Sequence, residues 1–294
     1  MPVIGIIFAV NLLTTDLKKP DPMKFKLFIL LIAILLTACE ENVDYSGLSQ
    51  NDFLKKTKND EYITAQYSYN NDNLISEVNS TLFYRKFHYD SKGKLIKEEV
   101  AISPDSYSSS IPASFSHEFV DPEKTGISMY SVYEYSRDGK LIKQLNYVPY
   151  EGEDDLRSIQ TFEYDKNDRI SKVLMHDDNE VLTQYSTYTY DIKGNVIENN
   201  SYSYLFIPAG TGPKHLSKAE YEYDTYNNPY AVFYQSGRPG MNSNPNNIIK
   251  VRTYNLLNTP GIDDINESTI EYQYNHITRY PVRVINGEEF IYDK

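Results

Sequence analysis

The chain has 294 residues, one cysteine, no tryptophan, 28 tyrosines and a formal net charge of −12. A single cysteine excludes an internal disulfide framework and a cysteine-rich zinc site, and the acidic balance argues against broad nucleic-acid binding, which needs a positive field over phosphates. The length is enough for one large β domain with its own core.

The first element in chain order is an address. Met23-Lys24-Phe25-Lys26 is a short basic head, followed by the uninterrupted apolar run Leu27–Leu36. Ten helical residues rise only about 15 Å, and a bilayer core needs about 30 Å, so the run reads as a secretory signal rather than a membrane span. Residues 1–22 fit that reading poorly, because Asp16, Lys18, Lys19, Pro20, Asp21 and Pro22 interrupt it, and Met23 is the expected initiator. The sequence Leu36-Thr37-Ala38-Cys39 resembles the bacterial lipobox. That resemblance implies cleavage between Ala38 and Cys39, lipidation of Cys39 and attachment to the outer membrane by a lipid anchor. Glu40 and Glu41 look like a weak form of a surface-export signal. Residues 39–60 are expected to be the lipidated cysteine and a polar tether, with a helical turn or two over Asn51–Lys58, and 61–294 a single β domain.

The body repeats one small unit. An aromatic residue, any residue, Tyr, Asp or Asn, a polar stretch and then an aliphatic pair recur, as in Tyr67–Ile75, Phe87–Ile96, Tyr133–Ile142, Phe162–Ile170 and Tyr188–Ile197, with decayed copies at Tyr221–Pro229 and Tyr272–Asn275. Aromatic-x-Tyr has period two, so both rings share one strand face. The following Asp or Asn bonds the backbone ahead and starts a turn, and a glycine supplies positive φ for a short hairpin loop. The expected turn positions are Asp90, Gly93, Gly139, Asp165, Asp191, Gly194 and Asp224. Gly93, Gly139 and Gly194 are expected to tolerate valine less well than Gly237. These units resemble the YD repeat of the RHS family, best at Tyr89, Asp90, Gly93 and Leu95 and at Tyr190, Asp191, Gly194 and Val196. Their central tyrosines are unevenly spaced, by 20 to 51 residues. The chain also looks like small lipoproteins of unknown function with a porin-like antiparallel sheet, a resemblance that implies architecture and location but no activity.

Between the units, Ser103–Thr125, Tyr147–Asp155, Pro208–Pro213 and Ser236–Asn247 read as long rim loops, and Val282–Tyr292 as a hairpin turning at Asn286-Gly287. The expected fold is all-β: a long antiparallel meander of more than a dozen strands, curled into an open sheet or half-barrel. Charge on the alternate strand face, at Glu134, Glu163, Glu222, Lys97, Lys143 and Lys172, is expected to keep that sheet in water.

Catalytic signals are weak. His88, His117, His176, His215 and His276 have no metal-ligand spacing, and His176-Asp177-Asp178 reads as a solvated turn. Pro208–His215 lacks the spacing of a phosphate loop, and Pro213 removes an N–H. No catalytic residue, metal ligand or cofactor is assigned. The expected role is non-catalytic binding or assembly in the envelope, toward a glycan, a peptide or another envelope protein and not toward nucleic acid. A glycan-acting hydrolase and a periplasmic carrier of an apolar ligand stand as alternatives.

Overall fold

The computed structural model describes residues 53–59, 62–104, 118–205, 211–237, 239–240, 243–256, 264–275 and 277–292. The expected signal peptide, Ala38, Cys39 and the tether up to residue 52 lie outside these residues, as do His117 and His276. Seventeen strands follow one another along the chain. The first eight are β1 (Leu54–Asn59), β2 (Tyr62–Tyr69), β3 (Ile75–Ser80), β4 (Phe83–Tyr89), β5 (Leu95–Ile102), β6 (Met129–Tyr135), β7 (Leu141–Tyr150) and β8 (Glu153–Tyr164). Then come β9 (Ile170–His176), β10 (Leu182–Tyr190), β11 (Val196–Ser203), β12 (Lys214–Asn227) and β13 (Asn246–Asn255). The last are β14 (Asp264–Thr269), β15 (Tyr272–Tyr274), β16 (Pro281–Val284) and β17 (Glu289–Tyr292). A four-residue helix α1 (Pro122–Thr125) and a 3₁₀ helix (Pro229–Ser236) complete the described elements.

The strands form one antiparallel sheet in chain order, as the hairpin pattern predicts. Each strand from β1 to β13 pairs with the next, and β15 pairs with β16 and β16 with β17. β17 returns to pair with β1, so the two ends of the domain lie side by side. No pairing joins β14 to β15 among the described residues, and the sheet is open there. The chain changes partners at that seam: the Ile270 amide donates to the Ile249 carbonyl on one side, and the Ile285 amide donates to the Glu271 carbonyl on the other.

Five hairpins of the tyrosine repeat share one turn, which the β9–β10 hairpin also makes at Asp177. In each, the residue after the tyrosine (Asn70, Asp90, Ser136, Asp165, Asp191) donates its amide to the carbonyl four residues on and accepts from the amide three residues on. Position three carries positive φ in every case: Asn73 62°, Gly93 75°, Gly139 91°, Asp168 61° and Gly194 93°. A bulge follows in each ladder, at Ser68/Tyr69, His88/Tyr89, Glu134/Tyr135, Glu163/Tyr164 and Thr189/Tyr190. A type I turn closed by a left-handed residue and a bulge is a favoured hairpin solution. The bulge splits the aliphatic pair between environments: Leu95, Leu141 and Val196 are buried, while Ile96, Ile142 and Ile197 are exposed.

Four sequence expectations are corrected. Leu54–Asn59, read as the end of a tether and as part of a helical turn, is strand β1, and Leu54 is in the core. Its hydrogen-bonding groups are taken by β2 and β17, which outweighs any local preference. Tyr147–Asp155, read as a long loop, is a tight hairpin, because Glu151 and Gly152 both take positive φ (51° and 87°), as a two-residue primed turn requires. Asp224 makes no turn. It lies within β12, and its carboxylate accepts from the Tyr226 amide, the Asn247 amide and side chain, and the Tyr274 hydroxyl.

The fourth correction concerns Ser236–Asn247, read as a rim loop. With the 3₁₀ helix, the described residues of this segment form a plug packed on one face of the sheet. Phe233 of that helix contacts the rings of Tyr67 and Phe87 and the guanidinium of Arg85. Tyr230 meets Phe290 and donates to Glu288 (2.9 Å), which also accepts from Thr64 (2.7 Å). Gln235 accepts from the Leu95 amide and donates to the Gly93 carbonyl, docking the plug on the second hairpin turn. Strands on both sides of the helix therefore contribute to one core, which includes Leu54, Ile75, Val78, Leu95, Leu141, Phe233 and Phe290. Gly237 ends the helix at φ 68°, and a Cβ there would fall 2.6 Å from Leu141 and 3.1 Å from Phe162. It is at least as demanding a position as the turn glycines, contrary to the expectation for an open loop.

A buried asparagine network holds the return of the plug. Asn195 donates to Asp191 and to Asn246, and its own oxygen accepts from the Asn246 amide. Asn244 accepts from the Val196 amide and donates to the Tyr223 hydroxyl, while Asn228 donates to the Asn244 carbonyl. The side chains of Asn195 and Asn244 are essentially inaccessible, and each bond replaces one that water would have made.

Candidate binding groove at the turn rim

The shared turns line one rim of the sheet, and a tyrosine ladder fixes their spacing. The hydroxyl that ends each Aromatic-x-Tyr donates to a carbonyl on the neighbouring hairpin: Tyr89 to Ile75, Tyr135 to Leu95, Tyr164 to Leu141, Tyr190 to Ile170 and Tyr223 to Val196, at 2.5–2.8 Å. Tyr69 and Tyr292 make the same bond to Leu54 and Pro281. The acceptor in the five middle hairpins is the first residue of the return strand, so every hairpin is tied to its predecessor through a side chain as well as through the ladder. Burial raises the phenol of Tyr164 and, more strongly, that of Tyr190. Protonated hydroxyls are what donation to a carbonyl requires. The tyrosine repeat is thus chiefly a structural device. Tyr62 and Tyr150, outside the ladder, are among the exposed rings.

A second ladder lies on the first. The residue that closes each turn is basic in three successive hairpins, and its cation sits over the next hairpin's tyrosine: Lys94 over Tyr135 at 4.8 Å, Lys140 over Tyr164 at 5.3 Å, Arg169 over Tyr190 at 4.5 Å. Such contacts contribute roughly 0.5–1 kcal/mol at exposed sites. Lys94 reaches across the neighbouring turn, where a Cβ on Gly139 would meet its Nζ at 2.5 Å. Lys140 pairs with Asp168, and Arg169 with Asp165 at 2.8 Å. In the next hairpin the basic residue is replaced by Asn195, and the ladder ends in the asparagine network.

These turns and the plug enclose an open groove of about 560 Å³. Lys92, Gly93, Lys94, Gly139, Lys140, Asp168, Arg169 and Gly194 line it from the turns, with Tyr135, Tyr164 and Tyr190 beneath and Gln235, Gly237, Pro239 and Ser243 opposite. Four of its side chains are cationic and one is anionic, in a chain that is acidic as a whole. The turn carboxylates beside it are held ionised. The amides of Lys94 and Lys92 keep Asp90 below the usual carboxylate range. Burial acts to raise Asp165, but the Arg169 amide and guanidinium and the Asn167 amide outweigh it, and its carboxyl too lies low.

Of the expected turn residues, Asp90, Gly93, Gly139, Asp165, Asp191 and Gly194 gather along this rim, with Gly93, Gly139 and Gly194 in the groove wall, and Asp224 instead anchors the plug. The groove's basic residues were not singled out in the sequence, although a basic residue two positions before the aliphatic pair's second member recurs in Lys94-Leu95-Ile96 and Lys140-Leu141-Ile142. His176 and His215 are strand residues on the sheet, and His215 stacks on Tyr202 at 4.5 Å. Among the described residues no cluster of three His, Cys, Asp or Glu side chains has the arrangement of a metal site, and no helix is long and apolar enough to cross a membrane.

No protein-family model matches the chain, and no curated protein matches it. Among solved structures it is similar to a porin-like protein from Bacteroides vulgatus, at 12% identity and a TM-score of 0.37 over 83% of this chain and 99% of that one. A DUF3836 family protein from Parabacteroides distasonis is similar over 25% of this chain and 72% of its own length, at 22% identity and a TM-score of 0.23. A Tc holotoxin pore from Photorhabdus luminescens is similar over 70% of this chain but 9% of its own, at 13% identity and a TM-score of 0.27.

Proposed function

We propose that this chain is a lipid-anchored cell-envelope protein of the outer membrane with a non-catalytic binding role, and that the turn-rim groove is where it binds. The observation that carries the reading is the groove itself: three successive hairpins of the rim each place a cation over the next hairpin's tyrosine, and a plug from a distant part of the chain forms the opposite wall. Rigid turns with fixed side chains suit recognition, because little ordering is left to be paid for on binding. The lipobox residues Leu36-Thr37-Ala38-Cys39 support the anchor. The outer strand face supports a sheet standing in water: Glu163 pairs with Lys172, Glu222 with Lys250, and Arg252 with Glu267, and a charged side chain facing lipid costs up to about 2–4 kcal/mol at the bilayer midplane.

Two measurements test this. Cys39→Ser should abolish palmitate labelling and release the protein from the membrane fraction, and unchanged labelling would refute the anchor. The full chain should bind members of an array of envelope glycans and peptides, and Ser243→Trp, which fills the groove, should remove that binding without lowering the melting temperature. Binding that survives Ser243→Trp would place the site elsewhere, and an array with no binder would refute the binding role.

A further inference from the structure

The groove's charge and walls carry the reading one step further. Lys140 and Arg169 spend their charge on Asp168 and Asp165. Lys92 and Lys94 have no ion-pair partner among the described residues, although both line the groove. Asp90 feels both ammoniums through space, and Asp138 feels that of Lys94, without an ion pair to either. Two lysines without an ion pair in one concave site, on a chain of net charge −12, attract an anion at short range, because the repulsion of the remaining charge is screened beyond about 8 Å at physiological ionic strength.

The other walls say what kind of anion. Tyr135, Tyr164 and Tyr190 have their hydroxyls committed to backbone carbonyls and one face of each ring under a cation, so what they offer the groove is the remaining ring carbon, which packs against C–H surface. A volume of about 560 Å³ lies within the usual range for small organic ligands and far exceeds a lone phosphate. An acidic peptide is favoured where a strand edge offers main-chain hydrogen bonds, and here the walls are closed turns, while the open edges, β14 and β15, lie at the seam. We infer that the groove takes a carboxylated saccharide, its sugar carboxylate against Lys92 and Lys94 and the C–H surface of its ring against the tyrosines. This rests on the proposed binding role of the groove.

The test is calorimetric titration of the full chain with a galacturonate tetrasaccharide, the matched neutral galactose tetrasaccharide, a hexaglutamate peptide and inorganic phosphate. The acidic saccharide should bind, more weakly at 500 mM than at 50 mM NaCl, and the neutral one at least about tenfold more weakly, the loss expected for one charge-assisted hydrogen bond. Lys92→Gln and Lys94→Gln should each weaken the acidic saccharide by about tenfold or more, Lys92→Gln with the melting temperature unchanged and Lys94→Gln, which also loses its contact with Tyr135, with a drop of no more than about 4 °C, whereas Glu123→Gln, on α1, should alter neither. Equal binding of the two saccharides, or indifference to both lysine changes, would overturn the carboxylate and leave the binding role standing. Hexaglutamate binding as tightly as the acidic saccharide, or full displacement of the saccharide by phosphate at comparable concentration, would overturn the saccharide. Binding of none of the four would overturn this inference, while the array decides the wider role.

Discussion

Removing one hydroxyl from the tyrosine ladder should destabilise the whole domain by a readable amount. In Tyr190→Phe the ring stays beneath Arg169, 4.5 Å from its guanidinium, so packing and most of the cation–π contact survive. What goes is the 2.6 Å donation to the Ile170 carbonyl, at a bulge where the ladder does not run regularly. A net hydrogen bond contributes about 1 kcal/mol, and a carbonyl left half-buried without a donor adds to that, for a total of about 1–2 kcal/mol. Tyr164→Phe removes the equivalent bond to Leu141 at 2.7 Å and should cost the same. For a domain of this size each kcal/mol lowers the melting temperature by about 2–4 °C. Urea titration of the full chain, followed by circular dichroism, measures the effect directly, with Tyr150→Phe as control because that ring is 63% exposed and should change stability by less than about 0.5 kcal/mol. If Tyr164→Phe and Tyr190→Phe shift the midpoint no more than Tyr150→Phe does, the ladder is not what ties the hairpins together.

Gly237→Val should cost at least about 2 kcal/mol, combining positive-φ strain with overpacking against Leu141, whereas Gly212→Ala, with nothing near its Cβ position, should be silent in the same titration. Asn244→Ala strips the Val196 amide of its acceptor and the Tyr223 hydroxyl of the donor it accepts from and should lower stability by about 1–3 kcal/mol, read as the urea midpoint, and an unchanged midpoint would mean the plug is held by its other contacts. The lowered carboxyls of Asp90 and Asp165 contribute stability that is present above the unfolded value of about 3.9 and lost as pH falls through the folded one, so the midpoint should drop between pH 5 and pH 3. Asp90→Asn keeps the two-amide turn that Asn70 already makes and should fold normally at pH 7 with a shallower acid loss, and an unaltered slope would count against the assignment.

The hairpins were legible because their determinants are local: Asp90, Gly93 and the tyrosine two residues after Phe87 act within ten residues of one another. Where a turn position lacked glycine, as at Asn73 and Asp168, the same conformation is reached by residues whose short polar side chains tolerate it. The closing strand β1 was not legible, since its partner β17 is at the far end of the chain and nothing in Leu54–Asn59 announces it. The plug was misread for a related reason. Glycine, proline and asparagine usually mark solvated loops, but Asn228, Asn244, Asn246 and Asn247 are buried, and only the folded surroundings supply their partners. The groove escaped notice because it is a property of the stacking of hairpins. One basic residue at the end of one turn is unremarkable, and Lys94, Lys140 and Arg169 over three successive tyrosines are a surface.

The seam between β14 and β15 bears on how such a chain can lengthen. A closed barrel fixes its strand number, because tilt and stagger must match around the circumference, and adding a hairpin forces every strand to readjust. An open sheet has no such condition. Duplication of a gene segment encoding one turn and its two strands, inserted between β13 and β14, outside the hairpins on which the plug is docked, would be absorbed by moving one edge of the seam. The plug, docked on Gly93 and Leu95 and on Asn195 and Val196, would then measure out the portion that cannot vary. Copy number is then free to drift on the flank beside the seam and is held constant between the two points where the plug is docked.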